Sequence, residues 1–395
     1  MIDRAPPQCM LCEVHISPEI DSQEHIIPNA IGGRKTTSGF LCAKCNASSG
    51  DTWEAALARQ LNALSLIFRI NRQRGKVPSQ NFQTSGGKAL TLNADGTLSI
   101  PRPIFRREED KVGIKFDISA RDMREARKML RGLARKYSQL DIEECLQGAK
   151  NTSKYPDDPI IVDISFGGTE EGRSLVKSVV ALLSANEVNP RHADLAIKFL
   201  TGDTDDPCYG FYYEKDLVKN RPEGVPFHCI HVTGCPENGL IRAYLEYFGV
   251  MRVVMCLSST YAGDAFSATY SLDPTTGKEL NLVIDLNLTS REIDDAYEGK
   301  KWSDAEIKDA LVAVIHPAMV AQHELEKERV ISEAVAYAFA NSGAKEGDQL
   351  TDEQLNRLIG LLWEKIQPML LRQISTNHHR RQATISKAKP EIKYQ

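Results

Sequence analysis

The apolar positions of this chain follow different periods in different stretches, and the changes of period divide it. From Asp51 to about Asn71, Trp53, Leu57, Leu61, Leu64 and Phe68 recur at helical spacing and predict a helix. "KALTLNADGTLSIPRP" predicts a β-hairpin around the Asn93–Gly96 turn, and Ala120 to Leu140 is again an amphipathic helix. "PIIVDISF" reads as a strand, followed up to Leu200 by two helical pieces broken at Asn189-Pro190. "FHCIHV", "VMRVVMCLSS", "AFSATYSLD" and "LNLVIDLNL" have strand composition, with "DPTTGKE" as a hairpin turn between the last two. From about Ser290 the period is helical, through "SDAEIKDALVAVIHP" and "AMVAQHELEKERVISEAVAYAFANSG" to "TDEQLNRLIGLLWEKIQPMLLRQI". Ser303 and Asp352 are the expected N-caps there and Gly343 the expected C-cap. The fold class expected is α+β. A zinc-held module with its packing helix spans 1–80 and a mixed body 81–288, followed by a helical part over 289–376 and a basic tail over 377–395.

The first 49 residues follow no such period. They are punctuated by cysteine and glycine and are too short to build an apolar core, so the segment needs a metal. Cys9-x-x-Cys12 and Cys42-x-x-Cys45 supply two knuckles, and four thiolates close a tetrahedral Zn²⁺ site with no position left for water. Such a zinc is structural. The chain has nine cysteines, and Cys145, Cys208, Cys229, Cys235 and Cys256 are scattered, which speaks for thiols and metal ligands rather than a disulfide scaffold. "MIDRAPPQCMLC" lacks the apolar core of an export signal, and no window approaches the roughly 18 apolar residues of a membrane span. The expectation is a cytoplasmic protein with no membrane contact. A net charge of −4 excludes a uniformly basic coat, so nucleic acid would have to be met by local patches.

Between the knuckles stand residues that a bare zinc ribbon does not need. Glu24 and His25 precede "IIP", "AIGG" supplies a glycine pair for a tight loop, and Asn46 follows the fourth cysteine. In order, "CMLC…EHIIPNAIGG…LCAKCN" resembles the HNH endonuclease family, whose core is a treble-clef, ββα-metal module. The resemblance covers about residues 9–50, about a tenth of the chain. The continuation into "GDTWEAALARQLN" is similar to the subgroup with a long uncharacterised C-terminal body. The resemblance implies that His25 is the general base and that Glu24 and Asn46 hold one Mg²⁺ or Mn²⁺, both being hard oxygen donors. It also implies 5′-phosphate and 3′-hydroxyl products. The chain departs from the pattern twice. Glu24 stands where many members carry aspartate, and the middle asparagine is missing from "RKTTSGFLC", where Thr37 or Ser38 occupies its neighbourhood.

The expected function is a metal-dependent DNA endonuclease, with restriction, phage (antiviral) defence or mobile-element cleavage as settings. Its body would read DNA, a partner protein or an activating ligand. The alternative is a zinc-dependent nucleic-acid-binding or scaffold protein without cleavage, and an RNA nuclease is a third reading.

Arg121, Arg124, Lys128, Arg131 and Arg135 fall on one helical face, either a phosphate-tracking stripe or a solvated face tempered by Asp122 and Glu125. The tail adds Arg380, Arg381, Lys387, Lys389 and Lys393. "HCIHVTGC" invites a second metal site, but strand alternation sets His228 opposite Cys229 and His231. "HELEK" at His323 lacks the second histidine of a zincin helix, and "FGGTEEGRS" lacks the lysine of a phosphate loop.

Overall fold

Two short strands, β1 (Glu24–His25) and β2 (Thr36–Thr37), pair antiparallel with Glu24 opposite Thr37 and His25 opposite Thr36. The loop between them depends on its glycine pair. Gly32 has φ +98°, and a Cβ on Gly33 would lie 1.6 Å from the Ile27 carbonyl oxygen. Helix α1 (Ala43–Ser49) starts on the second knuckle, with Cys42 as its N-cap. Helical backbone continues through a π-turn, Gly50–Glu54, into α2 (Ala55–Gln60) and then α3 (Asn62–Ile67). The helical segment therefore begins earlier than the apolar period suggested, because the last cysteine pair sits in its first turn. Leu57, Leu61, Leu64 and Phe68 are among its buried positions, while Trp53 is only half-buried.

The computed structural model describes residues 7–387 apart from 110, 112, 151–154, 346 and 348, with side chains described to residue 374. After α3 come β3 (Gln80–Thr84), β4 (Ala89–Leu92) and β5 (Leu98–Ser99), the expected hairpin closing where Gly96 N–H donates to Asn93 O at 2.9 Å. β6 (Ile104–Glu109) and β7 (Ile114–Ser119) form a second hairpin. Helices α4 (Met123–Ala134) and α5 (Ile142–Gln147) follow, each capped by an aspartate, Asp122 and Asp141. "PIIVDISF" yields only β8 (Ile160–Ile161), which joins β3 at the edge of the sheet β5-β4-β3-β8. Helices α6 (Thr169–Ala185) and α7 (Asp194–Thr201) are separated at Asn189-Pro190 as expected.

The largest sheet takes β9 (Tyr209–Phe211), β10 (His228–Cys235), β11 (Leu240–Tyr247), β12 (Met251–Ser258) and β13 (Phe266–Leu272) in the antiparallel order β13-β10-β11-β12-β9. "LNLVIDLNL" does not join it as a strand. It makes only an isolated bridge from Ile284 to Val218, its Asn and Asp residues leaving it in loop conformation. Helix α8 (Ser290–Tyr297) opens on a Thr289–Glu292 capping box, and α9 (Asp304–Ser342) runs through Pro317 and stops at Gly343, φ +81°. Ser303 caps α9, its Oγ accepting from Glu306 N at 3.3 Å. For α10 (Asp352–Lys387) the cap is Thr351 rather than Asp352. Thr351 Oγ1 accepts from Gln354 N at 3.2 Å while Gln354 Oε1 accepts from Thr351 N at 3.0 Å, a reciprocal box that Asp352 is one residue too late to make. The backbone of α10 runs on into the basic tail. The side chains of Arg380, Arg381 and Lys387, and all of Lys389 and Lys393, lie outside the described residues.

The chain forms two compact units, one of 1–83, 87–101 and 160–318, the other of 84–86, 102–159 and 319–395. In the first, the larger of two apolar clusters takes Ile26, Ile27, Leu57 and Leu61 from the N-terminal segment together with Val176 and Val179 of α6 and Ile230 and Val253 of the large sheet. α6 packs against β1, β2 and α2 as well as against β10, β11 and β13. In the second unit, the part of α9 from Met319 onward runs antiparallel to α10. Gln354 Nε2 donates to Gly343 O at 3.0 Å, and Gln373 meets His323 at 3.3 Å near the far end. Among the described residues no helix is long and apolar enough to cross a membrane.

Candidate active site and zinc centre

The Sγ atoms of Cys9, Cys12, Cys42 and Cys45 all lie within 4.8 Å of one another. Cys12 and Cys42 sulfurs are 3.7 Å apart. A tetrahedron with Zn–S of about 2.3 Å has edges of about 3.8 Å, so the set fits zinc. Burial pushes the Cys9 thiol up, but the backbone N–H groups of Cys42, Cys12 and Leu11 outweigh it and hold the thiol at about 7. Burial and then the neighbouring cysteines drive Cys45 upward. A bound cation would draw all four sulfurs to the thiolate form. The cluster is consistent with a structural zinc.

Strand alternation sets Glu24 and His25 on opposite sides of β1, Glu24 inward and 5% exposed, His25 half-buried. Glu24 Oε1 lies 2.8 Å from Nζ of Lys177 on α6, an ion pair rather than a directional hydrogen bond. Lys177 is 1% exposed; its ammonium also contacts the Glu54 carboxylate and donates to Ser49 Oγ at 3.1 Å. Burial raises Glu24 to about 8, against the pull of Lys177 and with a further push from Glu54. Burial also acts to raise Glu54, but Lys177 and the hydrogen bond from Glu24 outweigh it and leave Glu54 lowered. One ammonium and one shared proton thus balance two buried carboxylates.

His25 Nε2 stands 2.9 Å from Gln73 Oε1, on the loop after α3. Asn46 Nδ2 donates to Gln23 O at 3.5 Å. Thr37, near the place of the missing asparagine, donates instead to Ser184 Oγ of α6 at 3.4 Å. Arg124, Lys128 and Arg131 are exposed on α4, while Arg121, which is bound by Glu125, precedes the N-cap Asp122 and Arg135 is the C-cap, so the helix carries only the middle three of the expected stripe. His228 is buried, its Nε2 donating to Ile31 O at 2.8 Å and its Nδ1 accepting from Phe248 N at 3.0 Å. His231 bonds Thr269 at 2.8 Å, so "HCIHVTGC" is strand packing rather than a ligand set.

Lys177, Glu54 and Gln73 were not singled out from the sequence. Lys177 had a signal, a lone charge inside the apolar run from Leu175 to Leu183. For Gln73 there was none.

A pair of cysteine knuckles whose sulfurs suit a zinc ion, a β-ribbon carrying an acid–histidine pair and a helix opening on the last knuckle together define a ββα module. Residues 9–62 match the family model described as HNH endonuclease, and this segment is an HNH endonuclease domain. Comparison with curated proteins and with solved structures gives no match.

Proposed function

We propose that the protein is a metal-dependent endonuclease that hydrolyses DNA phosphodiester bonds, with His25 as general base. The observation that carries this reading is the position of His25 on the outer side of β1, inside the segment that matches the nuclease family. A neutral imidazole accepts a proton from water near physiological pH at little cost. Glu24 and Asn46 would hold the divalent cation, Mg²⁺ or Mn²⁺. Asn46 has its nitrogen turned to Gln23 O, which leaves Oδ1 to face a hard cation, whereas Glu24 would have to give up its shared proton and its contact with Lys177 to bind one. When bound, the cation supplies charge neutralisation at the scissile phosphate and the leaving 3′ oxygen. The chain's own part is to set His25 beside the phosphate, hold Glu24 through Lys177, and take up the water's proton. 5′-phosphate and 3′-hydroxyl ends follow.

A nuclease that cut any DNA freely would endanger its host, so the region beyond residue 80 restricts activity through DNA, a partner protein or a ligand. Restriction or phage defence is the setting this fits. One observation favours the second reading, a zinc-dependent nucleic-acid-binding protein without cleavage. Glu24 is already engaged by an ammonium.

Supercoiled plasmid incubated with the full-length protein and Mg²⁺ or Mn²⁺, beside His25→Ala, decides between them. Nicking or linearisation by the wild type and none by the variant supports the endonuclease. If neither cuts while both retard DNA on a gel, the binding reading takes its place; equal cutting by both removes His25 from the mechanism.

A further inference from the structure

We infer that Gln73, outside the family-matched segment, is a positioning residue that fixes the ring of His25 with its proton on Nε2 and leaves Nδ1 to accept the proton from water. This rests on the reading of His25 as the base.

The assignment follows from what each neighbour is able to do. Gln73 Nε2 donates to the Arg34 carbonyl at 3.3 Å. A carbonyl only accepts, so the amide nitrogen must face Arg34 and the amide oxygen must face the imidazole 2.9 Å away. An amide oxygen only accepts in turn, so Nε2 of His25 carries the hydrogen. In a neutral imidazole the other nitrogen, Nδ1, then has the lone pair.

The loop that carries Gln73 is fastened to the β1–β2 loop at several points. Asn29 Oδ1 accepts from Gln73 N at 3.0 Å and from Arg74 N at 3.4 Å, and Asn29 Nδ2 donates to Arg74 O at 3.1 Å. Arg34 Nη2 donates to Asn71 O at 2.7 Å. Gln73 is therefore presented by a clamped backbone, although its side chain is exposed. The residues in the neighbourhood of the absent asparagine do not take this part. Thr37 and Ser38 are both bonded to Ser184 of α6. Ring orientation therefore comes from downstream in the chain, through one amide.

The test uses the full-length protein, Gln73→Leu and Gln73→Glu, the second keeping an accepting oxygen at the same reach. Plasmid nicking is followed at about pH 8, where an imidazole is neutral, together with zinc content, thermal melting and Mn²⁺ half-saturation. Histidine-¹⁵N-labelled protein gives the His25 Nε2–H resonance, identified by its loss in His25→Ala. Expected is a fall in nicking rate of about ten- to a hundredfold in Gln73→Leu, in line with a misplaced catalytic group. The Nε2–H resonance should be lost to solvent exchange there, with zinc, melting and Mn²⁺ half-saturation unchanged. Gln73→Glu should keep the resonance, since a carboxylate oxygen still accepts from Nε2–H although it cannot donate to the Arg34 carbonyl. A wild type that nicks and a Gln73→Leu that nicks equally fast, or keeps the resonance, overturns this inference alone. A wild type that leaves plasmid intact under all metals overturns the endonuclease reading and this one with it.

Discussion

Nζ of Lys177, on α6, lies 2.8 Å from Oε1 of Glu24, on β1, and neither residue is more than 5% exposed. A buried ammonium between two carboxylates is held by its partners, and removing it strands their charge. Lys177→Met should cost about 3–5 kcal/mol in urea unfolding, the usual cost of breaking a buried pair from one side. Lys219→Met, at an exposed pair with Asp285, should stay within about 0.5 kcal/mol. Equal effects at the two sites would refute the buried cluster.

Zinc should co-purify at about one ion per chain, as a closed four-thiolate site holds one. Cys42→Ala removes a buried ligand that is also the N-cap of α1, so it should lose the metal and lower the melting temperature. Elemental analysis of the two proteins, with melting curves in chelator, is the measurement. Full metal retention by the variant would contradict the site.

Acid should destabilise the protein through His228. Burial lowers its pKa from 6.5 to about 4. The folded state then binds fewer protons than the unfolded one between those values, so the contribution is complete above about pH 6.5 and is lost as pH falls towards 4. Its full size is about 3 kcal/mol, since each tenfold change in proton affinity is worth about 1.4 kcal/mol. Urea midpoints measured between about pH 8 and 4.5 should therefore fall less steeply in His228→Gln than in the wild type. Parallel curves would show that this histidine is not the acid-sensitive group.

The stripe on α4 can be tested by salt. Its exposed positions Arg124, Lys128 and Arg131, replaced together by alanine, should reduce the slope of log affinity for duplex DNA against log salt by roughly two to three if each meets a phosphate. Gel retardation across a potassium chloride series measures it. An unchanged slope makes the stripe a solvated face.

The four-cysteine cluster was legible in the sequence because metal coordination imposes short, fixed spacing, and two CxxC knuckles carry that constraint within a few residues. The β10, β12 and β13 strands were legible from composition, as were the breaks at Pro190 and Gly343. What escaped was long-range. The partner of Glu24 is 153 positions away at Lys177, and that of His25 is 48 away at Gln73. No local pattern encodes either meeting. "LNLVIDLNL" misled in the opposite direction, since alternation describes a strand only when a sheet edge is there to receive it.

The contacts of Glu24 with Lys177, of Ile31 with His228 and of Lys35 with the Tyr270 hydroxyl all reach from the knuckle segment into later parts of the chain. A fragment holding only residues 9–62 would carry two carboxylates without their counter-ion and an apolar underside open to water. The segment is thus not a portable cartridge. A chimaera that borrows it must borrow α6 as well, or supply a lysine of equal reach from its new host.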